Sequence, residues 1–359
     1  MFIPTLGAGG AERVASILAN TWHSYPGVRV TVLLMFEDEI FYPVDPGVKL
    51  VGLGLQPNLT PLKKVRALTK ALGSFRKAVL AEQPAFVLSF MNKYNVFCLA
   101  ALTGSGVPVI VSERDSPTEP GRRLNWLLRE WLYPRAKGII TQSKLSEQHL
   151  IKRRCHTNIA VISNPVDNLT PQSTEPREKI VLNVARLVPK KGHSDLLEAF
   201  ARADVGDWRL VLCGDGPLRP ELEKQAKTIG IGDRVLFEGT VKNVWRWYAR
   251  ASVFAFTSYF EGFPNALAEA MSAGVAPVSY DCPTGPAELI EDGKNGYLVP
   301  VGNVDEFAQR LKALTADPEL TRQISERATA VADRLEVSVV AKEYFDFCVR
   351  SAALEGTSR

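Results

Sequence analysis

The sequence predicts an α/β chain built as two doubly wound domains facing a central cleft. Three observations carry this. A chain of 359 residues exceeds one compact α/β core and suits two domains of ordinary size. Short β-branched runs alternate with helical stretches throughout, the pattern of parallel sheets made of βα units. That alternation pauses once, over Asp167 to Lys179, a polar Pro/Thr-rich segment with the composition of a linker, and then restarts.

In the first half the strand candidates are Val28–Met35, Ala85–Phe90, Val107–Ser112, Gly138–Gln142 and Ile159–Ile162, the last closing on the turn signal Asn164-Pro165. Their near-continuous apolar character suits strands covered on both faces. Only Phe2-Ile3-Pro4-Thr5 precedes Gly7, so the opening strand is short or the sequence enters it part-way. In the second half they are Ile180–Val184, Trp208–Cys213, Val235–Glu238, Val253–Thr257 and Val275–Ser279. The expected division is 1–167 for a first domain and 168–336 for a second. A helix over 338–350 is free to pack on either, with the first favoured.

Composition narrows the function classes. Hydrophobic residues at 46% and charged residues at 23% are globular values. A net charge of +4 fits an anionic ligand or membrane surface and is too small to argue for nucleic acid. The five cysteines (Cys98, Cys155, Cys213, Cys282, Cys348) form no CxxC pair, and the four histidines (His23, His149, His156, His193) none at metal spacing. A disulfide framework or zinc site is therefore disfavoured, and a reducing cytosol is the expected setting. Neither a signal peptide nor an apolar run of bilayer length is read, so a membrane-bound substrate would be met from the cytoplasmic face.

The chemistry concentrates in Ser258–Ala273, SYFEGFPNALAEAMSA. Pro264 suits the first turn of a helix running through Ala266–Met271. The amides near Asn265, Ala266 and Leu267 would then form an anion site suited to a diphosphate. Glu261 precedes this turn at the C-terminal mouth of a strand, where open α/β sheets bind ligands, and Glu269 lies one helical turn in. A lone pair of glutamates at this spacing would be a solvated helix face. The intervening Gly262, Phe263, Pro264 and Asn265 supply turn-and-cap chemistry and favour a site. Upstream, Arg186 directly follows a buried strand and Lys191 comes five residues later, beside Gly192. Two cations there would neutralise a diphosphate leaving group without a metal; alone, they read equally well as an exposed basic turn. Gly7-Ala8-Gly9-Gly10 opens a helix and permits close backbone approach. It is not a dinucleotide fingerprint, which disfavours a dehydrogenase. Gly216, within Gly214-Asp215-Gly216-Pro217, is a turn signal or a donor contact.

These residues resemble the retaining glycosyltransferases of family 4. The matching segments are GGAERV at 9–14, NPVD at 164–167, NVARLVPKKG at 183–192 and CGDGPLRPELE at 213–223. VLFEGTV at 235–241, the long block at 261–290 and NGYLVP at 295–300 complete them. They run in family order across nearly the whole chain. The resemblance implies the GT-B fold of two Rossmann-like domains and a nucleotide-sugar co-substrate, UDP-sugar foremost, with no metal or other cofactor. It implies that Arg186 and Lys191 bind the diphosphate, that Glu261 contacts the transferred sugar, and that Glu269 holds the ribose. Gly10 would lie at the diphosphate, and Thr240 and Val241 in the nucleobase wall. Where many members carry a His after the strand ending at Val111, this chain has Ser112-Glu113-Arg114-Asp115. With DCPTGP at 281–286, that looks like the subgroup adding N-acetylgalactosamine or related sugars to polyprenyl-diphosphate-linked glycans. Glu113 and Arg114 become acceptor-side candidates.

Leu62–Val79 places Val65, Leu68, Leu72, Phe75 and Val79 on one helical face and Lys63, Arg66, Lys70 and Lys77 opposite. RRLNWLLREWLYPR at 122–135 adds Trp126, Trp131 and Tyr133 among arginines. Both stretches fit peripheral contact with an anionic inner membrane face, where Lys63, Arg66 and Lys70 would meet a lipid-linked acceptor. Solvated or core-packed helices are the plain alternatives. The expected activity is retaining, metal-independent transfer of a hexose or N-acetylhexosamine, N-acetylgalactosamine favoured, from a UDP-sugar to a polyprenyl-diphosphate glycan. The rivals are another donor or a soluble acceptor, a nucleotide-sugar epimerase, a phosphorylase, and a non-catalytic subunit that keeps the fold.

Overall fold

The structure is a computed structural model describing residues 1–36, 40–54, 61–114, 123–166 and 176–354, with backbone alone for 61–68 and 123–125. It divides into two units, Met1–Pro165 with Val337–Arg359, and Val166–Glu336.

The first unit runs β1 (Phe2–Ile3), α1 (Gly10–His23), β2 (Thr31–Leu34), β3 (Lys49–Gly52), α2 (Pro61–Glu82), β4 (Val87–Phe90), α3 (Asn92–Leu102), β5 (Val109–Ser112), α4 (Arg123–Leu132), β6 (Gly138–Thr141), α5 (Lys144–Lys152) and β7 (Ile159–Val161). Its strands form one parallel sheet in the order β3-β2-β1-β4-β5-β6-β7. The period of two splits each strand between two cores. In β5, Ile110 packs on the side of Leu18 and Trp22 from α1, while Val109 and Val111 pack with Phe75 of α2 and Phe97 of α3. The predicted apolar face of α2 is thus used at Phe75 and Val79, and Lys70 and Lys77 are exposed. The side chains of Lys63 and Arg66 lie outside the described residues.

The second unit runs β8 (Glu178–Val184), α6 (His193–Ala203), β9 (Arg209–Cys213), α7 (Arg219–Thr228), β10 (Val235–Gly239), α8 (Trp245–Arg250), β11 (Ala251–Phe256), α9 (Asn265–Ser272), β12 (Ala276–Tyr280), α10 (Pro286–Leu289), β13 (Tyr297–Val299), α11 (Val304–Ala316), α12 (Pro318–Ala328) and α13 (Val331–Leu335). The parallel sheet order is β10-β9-β8-β11-β12-β13. The strand order reverses between β8 and β11, so the loops leaving their C-terminal ends open at a topological switch point. The expected linker is corrected at its end: Glu178 and Lys179 already belong to β8, while 167–175 lie outside the described residues. The half-buried Arg177 just ahead of β8 donates to the carbonyls of Tyr248 (2.7 Å), Ala251 (2.6 Å) and Ala273 (2.5 Å), fastening the chain to the C-terminal ends of α8 and α9.

The last helix, α14 (Val337–Ala353), belongs to the first unit. Its Val340, Ala341, Tyr344 and Phe347 join the core beneath α1, and Trp22 Nε1 donates to the Ala341 carbonyl at 2.9 Å.

Candidate active site

The switch point of the second unit brings together two loops separated by 70 residues in sequence. The first leaves β8 through Ala185 and Arg186, makes a 3₁₀ turn over Pro189–Lys191, and enters α6 through Gly192 in a left-handed conformation (φ 63°, ψ 28°). The second leaves β11 and carries Glu261 to α9. They are stitched by backbone. The Tyr259 amide donates to the Lys190 carbonyl at 2.9 Å, and the Thr257 hydroxyl to the Lys191 carbonyl at 3.1 Å. Gly192 lies so close that a Cβ there would stand 2.1 Å from the Thr257 carbonyl oxygen.

This stitching sets Lys191 Nζ 2.5 Å from Glu261 Oε1, with side-chain exposures of 16% and 11%. Lys191 also sits 5.9 Å from the centre of the Phe256 ring. The sequence supplied both residues but no reason to pair them. Glu261 is held from behind as well, because the Thr284 hydroxyl donates to its main-chain carbonyl. Arg186 is exposed, and no side-chain partner for it is found among the described residues. The arrangement is thus one exposed cation and one cation parked on a carboxylate, both at the mouth of the sheet.

The helix N-terminus needs two corrections. Pro264 is the N-cap rather than a first-turn residue, and its carbonyl accepts from Ala268 N at 3.0 Å. The Asn265 amide is already used, donating to the Phe263 carbonyl at 3.0 Å. The proline ring fixes the chain just before the helix, and the tight turn over Phe263–Asn265 takes up the first amide. Ala266 and Leu267 keep the first-turn amides that have no acceptor inside the helix. Glu269 is buried at 5% exposure, and its Oε2 accepts from the hydroxyl of Tyr248 at 3.1 Å. Tyr248, fully buried in α8, also reaches the Ala266 carbonyl at 3.3 Å. Sequence reasoning missed Tyr248, since nothing in RWYAR marks which aromatic reaches a carboxylate 21 residues away.

His193, the first residue of α6, was likewise missed. It is 2% exposed, with neither ring nitrogen hydrogen-bonded. Burial foremost, and then Lys191, pull its pKa down to about 4, so the ring is neutral and adds no second charge beside Lys191. Gly216 has a packing reason of its own, since a Cβ there would meet the Leu187 carbonyl oxygen at 2.4 Å. Thr240 is exposed and Val241 half-buried, just past a register shift at the end of β10.

In the first unit, Gly10 is the exposed first residue of α1. Glu113 turns inward: its Oε2 accepts from Arg129 at 2.6 Å and from the Tyr133 hydroxyl at 2.8 Å, with Glu113 and Arg129 at 3% and 5% exposure. It ties the end of β5 to α4, and breaking such a buried pair costs about 3–5 kcal/mol. Tyr133, expected among interfacial aromatics, is this buried partner. Arg114 lies just past the C-terminal end of β5. It stacks 5.0 Å from the Phe90 ring and donates to Ser112 Oγ (2.9 Å), Asn164 Oδ1 and the Tyr344 hydroxyl (3.2 Å). Burial lowers its pKa, against the opposing pull of Tyr344 and Glu12. On α4, Leu127 and Trp131 are 62% and 64% exposed, with Arg135 stacked 4.3 Å from the Trp131 ring. No described helix is long and apolar enough to cross a membrane. Among the described residues no group of three or more His, Cys, Asp or Glu is gathered as metal ligands.

Comparison with known proteins gives the family. The family model of glycosyl transferases group 1 matches residues 167–331, and that of glycosyltransferase family 4 matches 8–168. In Campylobacter jejuni, a GalNAc-alpha-(1->4)-GalNAc-alpha-(1->3)-diNAcBac-PP-undecaprenol alpha-1,4-N-acetyl-D-galactosaminyltransferase is 28% identical over 351 residues, spanning 95% of each chain. An N-acetylgalactosamine-N,N'-diacetylbacillosaminyl-diphospho-undecaprenol 4-alpha-N-acetylgalactosaminyltransferase of the same organism is 29% identical over 364 residues, 96% of this chain and 97% of the relative. Among solved structures, Anabaena Alr3699/HepE in complex with UDP-glucose superimposes with a TM-score of 0.79 at 22% identity, covering 96% of this chain and 97% of that one. Sucrose-phosphate synthase from Thermosynechococcus elongatus gives 0.81 at 19%, covering 94% and 92%. At these identities the two superpositions bear on the fold alone.

Proposed function

The chain belongs to the family 4 glycosyltransferases, and from that premise we propose that it transfers N-acetylgalactosamine, with retention, from its UDP-sugar to a polyprenyl-diphosphate-linked glycan. The observation that carries the donor half is the Lys191–Glu261 pair at the β8/β11 switch point, next to the first turn of α9. In the reaction the bond from the anomeric carbon to the diphosphate oxygen breaks. An acceptor hydroxyl bonds that carbon on the same face, and its proton passes to the departing phosphate. Arg186, Lys191 and the amides of Ala266 and Leu267 stabilise the charge left on the diphosphate without a metal. Glu261 orients the sugar, and Glu269, steadied by Tyr248, takes the ribose hydroxyls. Thr240 and Val241 complete the donor contacts of the second unit; Gly10 for the donor and Arg114 for the acceptor are the candidates of the first.

The acceptor half is supported by the two Campylobacter relatives, whose names specify undecaprenol-linked glycans. Hydrolysis screens across UDP- and GDP-sugars, followed by transfer to a polyprenyl-diphosphate glycan, test the whole reading. UDP-N-acetylgalactosamine is expected to be consumed to give an α-linked product, at a rate unchanged by EDTA. A β-linked product refutes retention, loss of rate with EDTA refutes metal independence, and preference for another donor refutes the sugar.

Membrane contact is the second part of the proposal. The first unit carries 23 Lys and Arg against 14 Asp and Glu, a charge of +9, while the second carries 20 against 25, or −5. The exposed Leu127 and Trp131 lie on the cationic unit, as an anionic lipid surface would require. Flotation with phosphatidylglycerol-containing vesicles is expected to carry the protein upward. Reversing Lys63, Arg66 and Lys70 to Glu should weaken this about 100-fold or more, at ~1 kcal/mol per cation near the surface. Unchanged flotation of the reversed variant removes α2 from the contact.

A further inference from the structure

Behind the Lys191–Glu261 pair lies a second carboxylate that the reaction itself does not use. Asp195 is the third residue of α6, in the first turn, where the helix dipole favours negative charge. The hydroxyl of Tyr280, at the end of β12, donates to its Oδ2 at 2.9 Å. The Tyr259 side chain, on the loop leaving β11, lies near enough to the same carboxylate for Asp195 to help raise its pKa. The two rings run nearly parallel, 17° apart with centroids at 6.3 Å, and Tyr280 meets Phe307 of α11 edge-on at 5.3 Å. Tyr280 is fully buried, so its hydroxyl requires a partner. Burial first, and then Asp195, raise both phenols, Tyr259 to about 12, so both remain donors at neutral pH.

Each tyrosine lies a short step from the reacting groups. Tyr259 precedes Glu261 by two residues, and its amide donates to the carbonyl of Lys190, the neighbour of Lys191. Tyr280 opens the loop whose Thr284 donates to the Glu261 carbonyl. Three loops, from β8, β11 and β12, thus converge on one carboxylate. We propose that Asp195 is a positioning residue of the donor site, gripping Tyr259 and Tyr280 so that Glu261 and Lys191 are held face to face. The proposal rests on the reading of Glu261 and Lys191 as the donor pair. Reacting groups tolerate little displacement: a shift of about 1 Å can cost about 10²-fold in rate.

Steady-state kinetics with the UDP-sugar donor, alongside calorimetry with UDP, test the assignment. Asp195→Ala is expected to lower kcat about 10- to 100-fold, with the UDP dissociation constant within about threefold of wild type, since no group that touches the diphosphate is removed. Asp195→Asn keeps an acceptor oxygen and should recover most of the loss. Tyr259→Phe and Tyr280→Phe each remove one hydroxyl and should lower kcat in the wild type but add nothing once Asp195 is alanine. Wild-type kcat in Asp195→Ala, or an equal loss of UDP affinity, overturns the proposal. If that variant fails to fold, unchanged kcat in both phenylalanine variants overturns it instead. Glu261→Ala, assayed in parallel, separates the two failures. An active Glu261→Ala refutes the donor-site reading, whereas an inactive Glu261→Ala beside an active Asp195→Ala refutes only the positioning role.

Discussion

Glu261→Gln is expected to lower kcat about 10²- to 10³-fold while leaving UDP binding unchanged or tighter. Lys191→Ala should lose a similar factor in kcat and bind UDP more weakly. The asymmetry follows from the ion pair. Lys191 is held 2.5 Å from Glu261 Oε1, so an incoming diphosphate must draw the ammonium away from a carboxylate already bound to it. Removing the negative charge of Glu261 frees Lys191 for the diphosphate, and affinity rises even as the group that orients the sugar is lost. Removing Lys191 leaves the Glu261 carboxylate, 11% exposed, facing a ligand of the same sign. At 4 Å such repulsion is about 4 kcal/mol at the effective dielectric of a partly buried site, before screening. The double variant should bind UDP better than Lys191→Ala, because the unpaired carboxylate is gone, while its kcat falls little below that of the worse single variant, since residues in contact are not additive. Calorimetry with UDP and steady-state kinetics on the three variants check this. Weaker UDP binding by Glu261→Gln would mean that the pair does not compete with the ligand.

The parts of this site that were legible in the sequence are those encoded locally. The apolar runs of β8 and β11 announced themselves because both faces of each strand are buried: Val181 and Val253 belong to one core, and Leu182 and Phe254 to the other. The turn chemistry of Gly262 to Asn265 announced a helix start. Of the four edge strands, β7 and β10 were read and β3 and β13 were not. β3 exposes three of its four residues, and β13 is a three-residue run directly after the turn Asn295-Gly296, so neither stood out as a strand. Partners across long separations were equally hidden. Nothing in the spacing of Lys191 and Glu261, or of Asp195 and Tyr280, gives the sheet order that makes them neighbours. Glu113 shows the opposite failure: its place at the end of β5 was readable, but its inward turn toward Arg129 depends on α4 packing beside it. Pro264 was read one position too far in, because a proline before a helix and one in its first turn carry the same local signal.

Gly192→Ala is expected to disable the site by forcing its two loops apart. At φ 63° and ψ 28° an L-residue costs about 1–2 kcal/mol. The larger effect is steric. The new methyl would stand 2.1 Å from the Thr257 carbonyl oxygen and 3.1 Å from its carbon, both main-chain atoms that cannot rotate aside. Relief requires the β8 loop to move off the β11 loop, which breaks the bonds from Tyr259 N to the Lys190 carbonyl and from Thr257 Oγ1 to the Lys191 carbonyl. Lys191 is then carried away from Glu261, so kcat should fall with stability. Gly230→Ala is the matched control: φ is 79°, and nothing lies within 4 Å of its added methyl. It should lose about 1 kcal/mol from backbone strain and keep wild-type kcat. Thermal unfolding and kinetics on both variants separate strain from displacement. Should Gly192→Ala match Gly230→Ala in both measurements, close approach of the two loops is not what places Lys191.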